Sequence, residues 1–215
     1  MSTTRLVSSL GILAVLLALS QPAAADSGWY AAADLGQSHF TGGIFDAGFP
    51  ASWTRSASDS ATGYRITAGY QFTPNWGVEG GYVDLGHGTV SARNPHPDPF
   101  RPDIATFADY RIGAKGFFAA GTGTWPIDEQ WSLFARAGLI DGRLETREHT
   151  DGLIAPLNVT ETSWKATYGV GAKWKFRPQW SLRLGWDSYR RLGASSSGQY
   201  DLSLISLGLE WHFSE

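Results

Sequence analysis

The chain has 215 residues, including ten Trp, eight Tyr, eleven Phe and 26 Gly, and it contains no cysteine. Without cysteine, neither a disulfide framework nor a lipid-modified N-terminal cysteine is available. The formal net charge is −3, and this balance excludes the broad basic face that a nucleic-acid-binding protein needs. The length fits one domain, and no linker-like change of composition divides it.

The first 25 residues have the pattern of a secretory signal peptide. Arg5 gives a positive start, residues 10–19 form an uncharged apolar run, and three alanines precede Asp26. Such a run is too short for a transmembrane helix. We therefore predict cleavage between Ala25 and Asp26. Residues 26–215 then form one domain, with 16 Lys and Arg against 20 Asp and Glu.

Three short segments, 72–76, 125–131 and 176–180, repeat one theme along the rest of the chain. Each has a proline shortly after an aromatic residue, then polar residues, then a tryptophan. Proline fixes φ and cannot donate to a strand ladder, so these segments are predicted to be turns. Longer polar stretches lie at about 39–61, 87–104, 142–160 and 193–198. Three turns and four loops predict eight strands, with both termini on the side of the turns.

The segments between turns and loops alternate apolar and polar residues over the roughly 9–11 residues that a tilted membrane strand needs. Trp131, Leu133 and Leu139, for example, share one face of a predicted strand, and Ser132 and Arg136 share the other. Because no long apolar helix follows the signal, a spanning structure must pair its backbone in a closed barrel. The prediction is an all-β chain, an eight-stranded antiparallel up-and-down transmembrane β-barrel.

A soluble eight-stranded barrel is the main alternative, since it would also alternate. It would place a heavily charged face outside, whereas the polar face here is mainly Gly, Ser and Thr, which suits a narrow polar lumen. The ends of the apolar face beside the turns carry large aromatic side chains, as expected of a girdle at the lipid headgroups. The girdle residues are Phe72, Trp76, Trp125, Trp131, Trp174, Phe176 and Trp180.

The C-terminal segment alternates in the same way and resembles the insertion signal of outer-membrane barrels, with Gly208, Trp211 and Phe213 in the matching positions. Together with segments 28–36, 69–79, 125–128 and 134–138, it makes the chain similar to OmpA-type transmembrane domains and to small opacity-like surface proteins. The likeness spans residues 26–215, and the ordered set of segments carries it. It implies a bacterial outer-membrane location with periplasmic termini.

Charged residues on the polar face are predicted to lie in the lumen and to pair across it, because unpaired charges there would be costly. They are Asp34, Arg65, Glu79, Arg136, Lys173, Arg183 and Glu210. The resemblance implies that Glu79 and Arg183 form part of an ion-pair gate. Two readings stay open, a filled plug of salt bridges and a small low-conductance pore.

The histidines suggest an enzyme only weakly. Ser38 beside His39, and Asp84 near His87, are candidate pairs by proximity alone, and a general base must lie within hydrogen-bond reach of its nucleophile. No His-x-Ser-Asn signature of barrel deacylases is present. No spacing indicates a metal site. We therefore expect no catalysis, no metal and no cofactor.

The predicted role is that of a non-enzymatic outer-membrane barrel that supports envelope integrity. It would display four extracellular loops as an adhesin or surface antigen, because loops on a rigid scaffold are where binding usually resides. The expected partners are outer-membrane lipid and lipopolysaccharide, the barrel-assembly machinery during insertion, and a host or surface ligand of the loops. A lumenal pore gated by salt bridges is the alternative function.

Overall fold

A computed structural model of the chain describes residues 27–45, 52–96, 106–151, 158–193 and 199–213. In these ranges the chain is almost entirely β-structure. Its strands are β1 (Gly28–Gly42), β2 (Thr54–Ser58), β3 (Ser60–Gln71), β4 (Trp76–Arg93), β5 (Phe107–Pro126), β6 (Trp131–Thr150), β7 (Asn158–Arg177), β8 (Trp180–Leu192) and β9 (Tyr200–His212). A short 3₁₀ helix, Gly43–Phe45, follows β1. No helix in the described ranges is long and apolar enough to cross a membrane.

The strands close into a barrel in which every pairing is antiparallel. β1 pairs with β3 on one side and with β9 on the other, and each later strand pairs with its neighbours in the chain. β2 and β3 both pair with β4 and are separated only by Asp59, so together they form the second barrel strand. The predicted eight-stranded antiparallel barrel is confirmed.

The three predicted turns are also confirmed, because they join β3 to β4, β5 to β6 and β7 to β8. We call this side of the barrel the turn end and the opposite side the loop end. Both described termini lie at the turn end, where the Phe213 amide donates to the Trp29 carbonyl at 2.9 Å. The predicted signal peptide and its cleavage site at Ala25 and Asp26 lie outside the described residues.

The strands are longer than predicted, and the segments between them at the loop end are shorter. β5, β6 and β7 each have 20 residues, about twice the length needed to span a membrane. The predicted loop 142–160 instead contains a paired ladder, from Gly142 opposite Ser163 to Arg147 opposite Asn158. Prediction placed the loop there because the segment is rich in charge, yet its charged side chains are spread along the faces of two strands.

The barrel reverses its polarity between its two ends. Near the turn end the interior is charged and the lipid-facing exterior is apolar, as predicted. Near the loop end the interior is an apolar cluster, and β6 places Asp141, Arg143, Glu145 and Arg147 on its outer face. The cluster contains Phe40, Phe45, Val83, Leu85, Val90, Ile112, Ile140, Leu144, Leu192, Leu202 and Leu204. This half therefore has the interior of a soluble barrel.

A β-bulge in β4 helps build the apolar half. The pairing of β4 with β5 shifts between Asp84 and His87, and Gly86 lies in this bulge with φ +72°. The extra residue changes the alternation, so that Leu85 before it and Val90 after it both point inward and are buried. A side chain at Gly86 would also meet the Thr62 carbonyl oxygen, 2.5 Å from an added Cβ. The loop predicted to start at about residue 87 therefore begins too early, because β4 continues past the bulge to Arg93.

Candidate functional site

Six buried side chains form a closed ring of alternating charge across the turn-end half of the lumen. Arg183 donates to Asp34 through Nε at 2.7 Å, and Asp34 also accepts from Arg65 at 3.0 Å. Arg65 donates to Asp187 at 2.6 Å, and Asp187 accepts two bonds from Arg136 at 2.6 and 2.8 Å. We call Asp34, Arg65, Glu79, Arg136, Arg183 and Asp187 the charge ring.

Glu79 closes the ring between Arg136 and Arg183. Its carboxylate accepts from Arg136 at 3.2 Å and from the Tyr30 hydroxyl at 3.1 Å. Its distance to Arg183 is 3.9 Å, so that contact is the longest ion pair of the ring. Arg183 donates at 2.7 Å to Asp34 and at 3.2 Å to Glu210. Glu79 and Arg183 are therefore two members of one network in which each group has several partners.

Glu210 extends the network toward the turn end. It accepts from Arg183 at 3.2 Å and from the Lys173 ammonium at 2.8 Å, and it lies 2.9 Å from His212 Nε2. Counting Lys173 and Glu210, four carboxylates meet four basic side chains, apart from His212. The buried charges thus balance, which is the condition under which ionised groups are tolerated in a desolvated interior.

All seven charges predicted for the lumen point inward and take part in this network. The predicted set of lumenal charges left out Asp187, which lies on the inward face of β8 together with Arg183. The missed signal was the alternation itself, because Asp187 is four residues from Arg183 and shares its face. It is 1% exposed and joins two arginines, so it belongs to the ring as fully as Asp34 does.

Two glycines make space for the carboxylates of the ring. A Cβ added to Gly208 would lie 2.0 Å from Asp34 Oδ1, and one added to Gly169 would lie 2.2 Å from Asp187 Oδ1. Both glycines lie on inward positions next to these acids. Gly208 also belongs to the predicted C-terminal insertion signal. In the structure, a glycine is needed at this position because its backbone lies close to the Asp34 carboxylate inside the barrel. Trp211 and Phe213 of that signal lie outside, 39% and 45% exposed.

In the described residues, the lumen opens at the turn end. A vestibule of about 400 Å³ lies there, with Lys173, Glu210 and His212 among its lining. Deeper in the barrel, a space of about 10 Å³ beside Arg65, Arg136 and Asp187 is about the size of one water molecule. Above it lies the apolar cluster. The arrangement is a charged layer covered by an apolar layer.

The aromatic girdle lies where prediction placed it, around the outside of the turn end. Trp131 stacks on Trp174 with ring centroids 6.0 Å apart, and Trp76 meets Trp125 edge to face at 6.3 Å. Phe72 is half exposed, Phe176 packs against Trp174, and Trp180 stacks on Trp211. The girdle also includes Trp29, Tyr70 and Phe213, which prediction left out.

The candidate enzymatic pairs do not come together. Ser38 points into the barrel and donates to the Leu85 carbonyl, while His39 points outward on the neighbouring position of the same strand. Asp84 accepts from the Gly86 amide at 2.8 Å rather than from His87. In the described ranges, no group of three or more His, Asp or Glu side chains is placed to hold a metal ion.

Comparison with known proteins gives the family of this barrel. A family model described as "Outer membrane protein beta-barrel domain" matches residues 11–213. The chain belongs to this family. Outer membrane protein A of Escherichia fergusonii is 26% identical over 94% of the chain, and that of Salmonella typhi is 27% identical over 94%. The chain spans about half the length of these relatives, 53% in each case.

A solved structure has the same fold. Neisserial surface protein A has a TM-score of 0.53 and 17% identity, and the match covers 87% of this chain and 98% of that one. Membership in the family places the chain in the bacterial outer membrane.

Proposed function

We propose that this protein is a non-conducting, non-enzymatic outer-membrane barrel that supports the envelope and holds extracellular loops for contact with surfaces or host ligands. The observation that carries the proposal is the two-layer filling of the lumen. A neutral charge ring is buried in the turn-end half, and an apolar cluster fills the loop-end half. The interior of an eight-stranded barrel is narrow enough for side chains to fill. In this barrel, the charge ring and the apolar cluster together fill it.

The proposed orientation puts the turn end in the periplasm and the loop end outside. Short turns on the periplasmic side and longer connections outside are typical of these barrels. The long strands support a display role, because β5, β6 and β7 continue their pairing well beyond the apolar belt. They would carry the connecting segments away from the lipid on a rigid base. Insertion would use the barrel-assembly machinery, with the C-terminal strand as the signal.

The pore alternative receives less support. Ions entering the vestibule would meet the buried Arg183 and Glu210 and, beyond the ring, side chains such as Leu85, Ile140 and Leu204 that are 0% exposed. An ion cannot enter such an apolar layer without losing its hydration, which is strongly unfavourable. If the charge ring opened as a gate, the apolar cluster beyond it would therefore still block the path of an ion.

Single-channel recording on the refolded barrel tests the proposal. We expect no discrete openings from the natural chain or from a Glu79→Ala variant, with folding verified by a heat-dependent gel shift of each sample. Openings that the variant alters would establish the pore and overturn the scaffold role. The display role is tested separately by the binding of cells to host matrix with and without the loop segments. Unchanged binding after loop removal would contradict it.

A further inference from the structure

A patch of basic side chains lies on the outer surface of β5 and β6, on the loop side of the apolar belt. Its members are Arg111 and Lys115 on β5 and Arg143 and Arg147 on β6, and we call it the cationic patch. Arg111 lies directly opposite Arg147, and Lys115 lies directly opposite Arg143. Like charges in opposite positions of neighbouring strands repel each other. These two pairs of like charge therefore do not stabilise the barrel.

One carboxylate inside the patch offsets part of this charge. Glu145 lies between the two pairs and approaches Lys115 at 3.2 Å, Arg143 at 3.3 Å and Arg147 at 3.7 Å. A hydrogen bond from Lys115 lowers the pKa of the Glu145 carboxyl, so the group is ionised. Arg111 has no ion pair with any residue that the structure describes. Lys115, Arg143 and Arg147 thus share Glu145, and another carboxylate beside the patch, Asp84, lies opposite Lys115 on β4.

The basic groups converge on a surface groove. Arg111, Arg147, Glu145 and His87 line a space of about 240 Å³. A second space of about 280 Å³ shares Arg111 and Arg147 and continues along β4, β5 and β6, where Asp109 and Glu148 also line it. The side chains of Arg143 and Arg147 are 53% and 71% exposed, so both are available to a ligand.

The patch borders directly on the lipid-facing surface. Phe117 and Trp164 are each 67% exposed and Leu139 is 52% exposed, and all three lie on the membrane side of the patch. Lys115 is two strand positions from Phe117, a rise of about 7 Å. Asp84 and Asp141 lie at the edge of the patch that borders on the lipid-facing surface. A molecule whose acyl chains pack on Phe117, Leu139 and Trp164 would therefore bring its headgroup to the basic side chains.

We propose that the cationic patch binds the phosphate groups of a phosphorylated glycolipid in the outer leaflet. This inference rests on the proposed function, because it requires the loop end to face the outside of the cell. Guanidinium groups bind phosphate oxygens through two parallel hydrogen bonds, so Arg111 and Arg147 suit this ligand. A bound phosphate would relieve the repulsion within the Arg111–Arg147 pair. The combination of acyl-chain contacts with adjacent phosphate contacts favours a lipid over a soluble anion.

The test is titration of the refolded barrel, in zwitterionic detergent, with diphosphoryl lipid A. Each basic group near an anionic lipid contributes roughly a fivefold factor, so an Arg111→Gln, Arg147→Gln double variant should bind about 25-fold more weakly. Glu145→Gln should bind more tightly, because it removes the competing carboxylate. Arg190→Gln on β8 is the matched control, since it removes an exposed arginine outside the patch, and it should leave the affinity unchanged.

Three results would overturn the proposal. They are equal binding of lipid A without phosphates, equal weakening by Arg190→Gln, and saturation of the patch by inorganic phosphate alone at the same concentration. A heat-dependent gel shift establishes that each variant is folded. Surface proteolysis of the loop segments in intact cells tests the orientation separately. Failure of that assay contradicts the proposed function while the lipid titration still decides whether the patch binds phosphate.

Discussion

Two buried guanidinium groups, those of Arg65 and Arg136, converge on the single carboxylate of Asp187. An Asp187→Asn substitution keeps the shape of the side chain but removes the charge that holds both arginines. Removing one partner of a buried ion pair leaves an uncompensated charge and costs about 3–5 kcal/mol. We expect a loss of that size in the free energy of unfolding, measured by urea titration with tryptophan fluorescence in detergent micelles.

A neighbouring acid outside the ring serves as the control for this prediction. Asp141 lies on the outer face of β6 and makes no ion pair with any residue in the described ranges. Asp141→Asn should therefore leave the unfolding midpoint nearly unchanged. Equal losses of unfolding free energy for the two substitutions would show that the ion pairs of Asp187 do not stabilise the barrel.

Gly208 is required by the position of Asp34 rather than by its own backbone angles. An added Cβ would lie 2.0 Å from Asp34 Oδ1 and 2.8 Å from the Ala33 carbonyl oxygen. Gly208→Ala should therefore displace Asp34 and cost about 1–3 kcal/mol, as is typical of overpacked interiors. Gly121→Ala is the matched control, because its Cβ would meet nothing within 4 Å. A smaller loss for Gly208→Ala than for Gly121→Ala in the same urea titration would refute the close approach.

At the scale of the strand, β6 contains both halves of the barrel, and two adjacent residues mark the change. Ile140 points into the apolar cluster and is 0% exposed, while Leu139 points toward lipid and is 52% exposed. Ile140→Ala should lose about 2–5 kcal/mol, because it leaves a cavity in a packed interior. Leu139→Ala should lose less, since detergent or lipid can fill the space. Equal losses by urea titration would indicate that the loop-end interior is loosely packed.

The hairpin of β4 and β5 should respond to acid at the loop end. Arg93 donates two bonds of 2.9 Å to Asp109, and this bonding lowers the pKa of the Asp109 carboxyl. A lowered pKa means that the pairing contributes above the ordinary aspartate value of about 4 and is lost as pH falls through the lowered pKa. The hydrogen-exchange protection factor of the Asn94 amide, which donates to the Thr106 carbonyl, should therefore fall at acidic pH.

An Asp109→Asn variant separates this effect from general acid unfolding. In that variant, the Asn94 protection factor should already be low at neutral pH and should change little on acidification. A variant that keeps the full acid response would assign the response to another group.

The sequence predicted the elements well where one side of a strand faces lipid. In 131–139 the alternation of large apolar and small polar residues is simple, and turns, faces and inward charges followed from it. Beyond Leu139 the same strand places Ile140 and Leu144 inward and Arg143 and Glu145 outward, so the chemistry of its two faces is exchanged. A rule that assigns every apolar side chain to the lipid-facing side therefore predicts that the strand ends at this exchange. The bulge at Gly86 also shifts by one position which residues of the strand point inward, and no local sequence pattern indicates this shift.

Partner choice within the ring was the other part that the sequence could not provide. Alternation places a side chain inside the barrel, but pairing depends on the stagger of strands far apart in the chain. Asp34 and Arg183 are 149 residues apart, yet their side chains share two hydrogen bonds. The contact between Glu79 and Arg183, which the resemblance implied as part of a gate, is longer than any other in the ring because Arg136 is better placed for Glu79.

For the whole molecule, the filled lumen and the long paired ladders imply that the barrel does not depend on its loop-end connections. Closing a longer loop costs little additional entropy, and stability here comes from paired strands and a packed interior. Replacing the segments 46–51, 97–105, 152–157 and 194–198 with short Gly-Ser links should therefore leave folding intact. The expected result is an unchanged heat-dependent gel shift and a urea midpoint close to that of the natural chain, together with loss of any surface binding. A chain that failed to fold without these segments would assign them a structural role and would contradict the division of the molecule into a self-sufficient scaffold and displayed loops.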